Sequence, residues 1–350
     1  MKISLCMIVK DEEQVLARCL DSVAPYVDEI VIVDTGSSDD TVHIAERYTS
    51  KIHFFAWRDD FAAARNFSFQ KAAGDYLMWM DADDVLPRES AARFSALREL
   101  LTREEPAMVV CPYETGGTVF YRERFMRRAE QFVWQGRVHE CIAPRGKLVR
   151  SDVRIVHLGS KKERGTRNLD IYRKWAGEEA LGGRDLFYYG RELFYHRLYA
   201  EAIAVLERML RGEGWYVNKI EACRVLSHCY LAEQNPERAI SALFDSFAYG
   251  EPRAAVLCEL GAIFKAQKRY REAVFWYESA MRCRDHSPEG DFEEPACRTV
   301  TPALELVFCC WQLGEREAAL RWHETSKALA PEHPSVIYND NFFASQEPRT

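Results

Sequence analysis

The densest chemistry in the chain is the run WMDADDVL, where Asp81, Asp83 and Asp84 follow the apolar, strand-like YLMWM. Carboxylates that emerge together from a strand end can hold a hard divalent ion, and such an ion can neutralise a departing diphosphate. The same acidic turn can also do no more than cap a following helix. Upstream, VDTGSSDDT puts Asp34 at the end of a second apolar run, EIVIVD, with Gly36 and Ser37 suited to a tight turn into a helix. A carboxylate there can accept hydrogen bonds from a base or ribose, whereas Ser38 and Asp39 read as plain helix caps. Between these motifs, FFAWRDDFAAARNFS sets Asp60 and Arg65 at the start of an apolar helix. Arg65 offers a planar donor fork to a nucleotide with Asp60 to orient it, or the two form a surface ion pair.

Two histidines stand in apolar runs further on, His139 in FVWQGRVHECIAP and His157 in VRIVHLGSKKERGT. Either imidazole suits a metal or a satisfied core position. Glu140 has the chemistry of a base facing an acceptor. Lys161, Lys162 and Arg164 lie in a Gly-flanked loop whose charge suits closure over a diphosphate, or simple solvation.

The elements that must position these residues follow a clear rhythm. ISLCMIV, EIVIVD, KIHFFAW and DYLMWM alternate with the helical EEQVLARCLDSV, DDTVHIAERY and DFAAARNFSFQKAA. That alternation predicts an α/β unit with a mainly parallel sheet and a ligand site at the carboxyl ends of its strands. MVVCPYE and TVFYRERF flank Gly116-Gly117 as a hairpin.

From about residue 165 the period turns helical, as in Tyr199, Ala202, Ile203, Leu206, Met209 and Leu210 on one face. A small or aliphatic residue recurs there, with Ala and then a bulky residue at fixed offsets: Gly190/Ala202/Leu206, Ser227/Ala239/Leu243, Gly261/Ala273/Tyr277 and Val307/Ala319/His323. The intervals of 37, 34 and 46 residues, and Pro331 closing the last copy, predict four degenerate tetratricopeptide repeats. An inserted loop around DHSPEGDFEEP absorbs the long last interval; an unrelated helical bundle is the alternative. The expected division is an α/β Rossmann-like domain over 1–165, an all-α repeat domain over 166–336 and a tail over 337–350.

Composition narrows the function. The 350 residues are 47% hydrophobic, enough to bury cores for two domains. With 47 basic and 54 acidic residues the net charge is -7, which gives no general attraction to nucleic acid. MKISLCMIVKDEE turns acidic too soon for a signal peptide, and no apolar run has membrane-spanning length, so a cytoplasmic protein without an integral membrane segment is expected. Eleven scattered cysteines without paired spacing predict reduced thiols.

In order, IVKDEE, VDTGSSDDT, WRDDFAAARN, DADDVL, GRVHE, VHLG, and TRN followed by FYYGREL resemble the family 2 glycosyltransferases of GT-A fold that carry tetratricopeptide repeats. More narrowly, the series resembles the peptide S-glycosyltransferases that modify glycocin bacteriocins. The resemblance implies an inverting transfer from a nucleotide sugar, a UDP-hexose or UDP-N-acetylhexosamine, with Mn2+ or Mg2+ as cofactor. It implies donor-binding roles for Val9, Glu12, Asp34, Asp60, Arg65, Asp81 and Ala82, metal ligation by Asp83 and His157, and Glu140 and Asp84 as catalytic carboxylates. One departure stands out: Thr35 occupies a position that is acidic in many members, which leaves base recognition to Asp34. The acceptor implied is a peptide side chain, a cysteine thiol in the narrower resemblance. A cell-envelope glycan or lipid is the rival acceptor, and an inactive repeat adaptor is the rival from another class. A homodimer is left open.

Overall fold

The computed structural model describes residues 1–116, 118–159, 165–286 and 294–346. The chain forms two compact units, Met1–Glu178 and Glu179–Thr350.

In the first unit, β1 (Ile3–Val9), β2 (Glu29–Asp34), β3 (Ile52–Phe54) and β4 (Tyr76–Trp79) come from the expected apolar runs, KIHFFAW giving only a three-residue strand. Helices α1 (Leu16–Val23), α2 (Thr41–Glu46) and α3 (Phe61–Lys71) connect them. These strands read as continuous apolar runs because both sheet faces are covered. Leu5, Met7, Ile32 and Met78 pack with Leu16 and Leu20 of α1, while the alternate residues Cys6, Val31, Leu77 and Trp79 pack with Ala62 and Phe69 of α3.

After β5 (Asp84–Val85), α4 (Arg88–Ala91) and α5 (Phe94–Glu104), the chain makes the hairpin β6 (Met108–Thr115) and β7 (Thr118–Arg127). Strands β8 (Trp134–Gln135) and β9 (Cys141–Ile142) form a separate ladder. Strands β10 (Leu148–Arg150) and β11 (Ile155–His157) return to the main sheet. Its order is β3-β2-β1-β4-β7-β6-β11-β5, with β10 also beside β6. β3, β2, β1 and β4 pair in parallel. The expected mainly parallel sheet is nonetheless mixed: the β6–β7 hairpin docks antiparallel on β4, and β5 runs antiparallel to β11.

Helix α6 (Arg167–Glu178) packs in this first unit, past the boundary expected at residue 165. It buries Leu169, Ile171, Tyr172 and Trp175, and the Tyr172 hydroxyl donates to the Val138 carbonyl at 3.3 Å.

The second unit is a series of helical hairpins: α7 (Gly183–Tyr195) with α8 (Tyr199–Arg211), α9 (Tyr216–Ala232) with α10 (Pro236–Asp245), α11 (Ala254–Ala266) with α12 (Tyr270–Met281), and α13 (Val300–Gln312) with α14 (Arg316–Leu329). The repeat positions are the hairpin contacts. A Cβ on Gly190 would lie 2.4 Å from the Leu206 side chain, and one on Gly261 would lie 2.8 Å from the Tyr277 ring. Ala202, Ala239, Ala273 and Ala319 are fully buried.

The segment expected to be a tail is instead the body of a helix, α15 (Pro334–Gln346). It buries Val336 and sets Phe342 and Phe343 against Trp311 at 5.0 and 5.7 Å, giving the array an apolar end cap. The inserted loop falls largely on 287–293, and Lys161, Lys162 and Arg164 on 160–164, all outside the described residues. All eleven cysteines are free, and no described helix is long and apolar enough to cross a membrane.

Candidate functional site

Parallel packing ends β1, β2 and β4 on the same side, so the residues that follow them converge. Val9 and Asp34 pair in register at the ends of β1 and β2. Asp34 is 6% exposed, and its carboxylate accepts from the Gly36 and Ser37 amides at 3.0 and 3.2 Å, which folds the turn on the strand end. Gly36 takes φ +106°, a conformation that L side chains rarely adopt. Thr35 donates its hydroxyl and amide to the Val9 carbonyl at 3.1 and 3.0 Å, so the residue that departs from the family pattern ties the two strand ends together. The Glu12 amide donates to Thr41 Oγ1 at 2.7 Å, and Asp39, not Ser38, accepts from the Thr41 amide at 3.0 Å as α2 begins.

Beyond β4, the Asp84 amide closes a turn on the Asp81 carbonyl at 3.1 Å, with Ala82 and Asp83 at its corners. Arg65 of α3 donates from Nη2 to Asp81 Oδ1 at 2.7 Å and from Nε to Glu140 Oε1 at 2.6 Å. Arg65 is 7% exposed, and its guanidinium lies 4.8 and 4.9 Å from the rings of Trp79 and Trp134. Its third nitrogen, Nη1, is buried without a hydrogen bond to any described residue. Asp60 does not orient Arg65. It caps α3, accepting from the Ala63 amide at 2.8 Å. Burial pushes the Asp81 carboxyl up, but the Arg65 charge and hydrogen bond hold it below the ordinary carboxylate range.

Glu140 lies in the excursion between β8 and β9, pinned by a residue that motif reading passed over. Asn66, next to Arg65, donates to the Trp134 carbonyl at 3.0 Å and accepts from the Trp134 amide at 2.8 Å, as a strand neighbour would. The Phe61 amide adds a bond to the Arg137 carbonyl at 2.9 Å. His139 turns away with φ 52° and stacks on Tyr172 at 6.5 Å.

His157, at the end of β11, is the histidine that meets the acidic turn. Its Nδ1 lies 3.4 Å from Asp83 Oδ1 and 3.2 Å from Asp84 Oδ1. Asp83, Asp84 and His157 are the group of metal-ligand type among the described residues. The Asp83 and His157 side chains are 19% and 30% exposed, whereas Asp84 is fully buried. Burial, reinforced by Asp81 and Asp84, raises the Asp83 carboxyl despite the opposing His157 charge. The hydrogen bond with Asp84 raises His157 against the effect of burial. Asp84 accepts from Tyr113 and Arg124 as well, at 2.9 and 3.4 Å. A carboxylate so enclosed does not meet an acceptor, which removes the catalytic role expected for it. Neither Tyr113 nor Arg124 was legible as a site residue; the only signal is a charge in TVFYRERF at a strand position that packs inward.

Carboxylates and an imidazole thus gather at the strand ends of a mixed sheet of GT-A-like type, beside a buried arginine. Residues 4–156 match glycosyl transferase family 2, and the N-terminal unit carries a domain of that family. Over 145 residues the chain is 40% identical to a TPR repeat-containing protein of Synechococcus elongatus, an alignment covering 40% of this chain and 35% of that protein. Over 223 residues it is 27% identical to the SPbeta prophage-derived glycosyltransferase SunS of Bacillus subtilis, covering 59% of this chain and 52% of SunS. The chain thus spans about a third and about half the length of these two relatives. The solved structure of S. aureus TarS 1-349 in complex with UDP is 15% identical with a TM-score of 0.40, over 72% of this chain and 92% of that one. The second unit is a TPR-like helical array of paired antiparallel helices.

Proposed function

We propose that the protein is a glycosyltransferase that moves a sugar from a UDP-sugar to an acceptor by single displacement with inversion. The observation that carries this reading is Arg65, packed against the Trp79 and Trp134 indoles, tied to Asp81 and Glu140, and holding a buried Nη1 amino group without a partner among the described residues. An unmade hydrogen bond at a buried donor costs on the order of 1–3 kcal/mol, which a diphosphate oxygen at that point would recover. Asp34 and Glu12 border the strand ends where the nucleoside belongs, with Val9 and Ala82 as apolar walls.

Asp83 and His157 would hold a divalent cation: one carboxylate and one imidazole, both partly exposed and in contact, are a donor set that Mn2+ or Mg2+ accepts. Such an ion would supply charge stabilisation to the departing diphosphate. The base we assign is Glu140. It is the carboxylate outside the Asp81–Asp84 turn, and Arg65 fixes its distance from the donor side.

The acceptor we propose is a peptide cysteine. A repeat array supports a polypeptide, because stacked helical hairpins present an extended concave surface. A thiol ionises near pH 8.5 and so asks less of a base than a hydroxyl does. The protein reads as cytoplasmic on this view, since free thiols and a nucleotide-sugar donor belong to a reducing compartment.

The test incubates the full chain with UDP-glucose or UDP-N-acetylglucosamine, Mn2+ and reduced cysteine-containing peptides, with UDP release and peptide mass as readouts. Sugar on cysteine supports the whole reading. Sugar on serine, or transfer to glycans alone, overturns the thiol acceptor and leaves the transferase. Absence of both UDP release and any donor-dependent rise in Tm overturns the transferase, because a bound donor stabilises the fold by mass action.

A further inference from the structure

Asp84 is the one carboxylate of the acidic turn with no exposure, and a polar neighbour stands at each of its acceptor positions. A carboxylate offers about four acceptor positions on its two oxygens. Oδ1 meets the Tyr113 hydroxyl at 2.9 Å and His157 Nδ1 at 3.2 Å. Oδ2 accepts from the Asp81 amide at 3.1 Å and from Arg124 Nη1 at 3.4 Å. Three of these neighbours are donors whatever their state, and with Nδ1 as the fourth donor none is left for a cation. Arg124 is itself fully buried, 3.6 Å from the Trp79 ring and 4.7 Å from the Tyr113 ring, and also donates to the Trp79 carbonyl at 2.9 Å. The backbone adds to the frame, because Asp84 and His157 are cross-strand partners between β5 and β11.

We infer that Asp84 is a positioning residue, held by Tyr113 and Arg124, that keeps the proton of neutral His157 on Nδ1 and presents Nε2 to the cation. An acceptor-only partner on Nδ1 requires a donor there, so the free lone pair of the neutral ring is on Nε2. A histidine that ligates a metal commonly donates its other ring N–H to a carboxylate, which fixes tautomer and ring orientation. This assignment rests on Asp83 and His157 as the cation-holding pair; their present contact is through Nδ1, 3.4 Å from Asp83 Oδ1, so the Asp83 carboxylate would turn toward Nε2 to share the ion. It competes with an arrangement in which the ion lies among Nδ1, Asp83 and Asp84.

The experiment has two arms, both on the full chain. First, 15N histidine NMR of metal-free protein, at a pH where the rings are neutral and with His157→Gln to identify the resonances, reads which nitrogen carries the proton. Nδ1–H is expected; Nε2–H overturns the inference. Second, Mn2+ affinity is measured by electron paramagnetic resonance for Tyr113→Phe, Asp84→Asn and Asp83→Asn. Loss of an outer-shell partner is expected to weaken binding about 10- to 100-fold for Asp84→Asn and less for Tyr113→Phe. Loss of Mn2+ binding in Asp84→Asn as complete as in Asp83→Asn makes Asp84 a ligand and overturns the inference. Tyr113→Phe and the first arm keep the inference falsifiable where Asp84→Asn fails to fold. A protein that binds no Mn2+ overturns the cation reading itself. That failure is told apart from failure of the positioning role, because the tautomer is read without metal.

Discussion

Arg65 and Glu140, remote in sequence, meet through a 2.6 Å bond from Nε to Oε1, and the same guanidinium reaches Asp81 at 2.7 Å. The arginine fork thus sets the spacing between a carboxylate on the donor side and the carboxylate assigned as base. Lysine keeps the charge but cannot make two directed bonds at fixed angle from one planar group. Arg65→Lys should therefore lower kcat by about 30- to 100-fold, equivalent to about 2–3 kcal/mol, with a smaller change in KM for the UDP-sugar. Steady-state kinetics with UDP release as readout checks this, and a variant with unchanged kcat would remove Arg65 from the chemistry.

Asp83→Asn should abolish metal-stimulated turnover without unfolding the protein, since the change is nearly isosteric and removes one charge facing the cation. His157→Ala should act in the same direction. Both groups in the wild type hold protons more firmly than usual, Asp83 through burial and its acidic neighbours, His157 through its bond to Asp84. Metal binding needs a deprotonated carboxylate and a ring with a free lone pair, so protons compete with the ion. Mn2+ affinity should fall as pH is lowered, beginning above the ordinary histidine value of 6.5. His157→Ala should flatten that part of the profile; a wild-type affinity constant from pH 8 to 5 would contradict the ligand assignment.

The parts of the site that were legible in sequence are those where chemistry and strand ends coincide. An apolar run followed by acid, as in EIVIVD or YLMWMDAD, announces both the strand and the side on which its carboxylates emerge. The repeat pattern was legible for a similar local reason: a helix crossing that excludes a Cβ at Gly190 and Gly261 leaves a small residue at a fixed offset from its partner. Contacts between distant segments left no such mark. Asn66 imitating a strand beside Trp134, and Arg124 buried under Asp84, depend on how the β6–β7 hairpin and the β8–β9 ladder dock. Asp60 was misplaced because spacing alone does not separate a partner of Arg65 from a helix cap.

Glu29 makes part of the fold sensitive to acid. Its carboxylate is bonded by Ser4, by Lys51 and by the Ala73 amide at 2.7 Å. Burial alone would raise it, but these bonds lower it from 4.5 to about 2. A depressed folded-state value means the stabilisation is fully present above 4.5 and is lost as pH falls toward 2. Glu29→Gln should cost about 1.5–3 kcal/mol at neutral pH, the range for hydrogen bonds to a charged group. Thermal melts of both proteins against pH check the sign: the gap should close on acidification, and a gap that persists unchanged to pH 2 would show that shape rather than charge holds Glu29.

The same substitution at two helical glycines should have opposite signs. Gly177 lies in α6 with open space around its missing Cβ, so Gly177→Ala should stabilise by about 0.5–1 kcal/mol through the backbone entropy that glycine loses on folding. Gly190 lies in α7 where an added Cβ meets Leu206 Cδ2 at 2.4 Å and Cγ at 2.5 Å. Leu206 and Ala202 are fully buried in the facing helix, so the leucine cannot swing into solvent, and α7 and α8 must separate or strain. Overpacking of that kind costs about 1–3 kcal/mol, more than the propensity gain, so Gly190→Ala should be net destabilising. Urea unfolding followed by circular dichroism decides it. If Gly190→Ala proves as stabilising as Gly177→Ala, the small repeat residue is not the point of helix contact, and the tetratricopeptide register of the second unit would have to be redrawn.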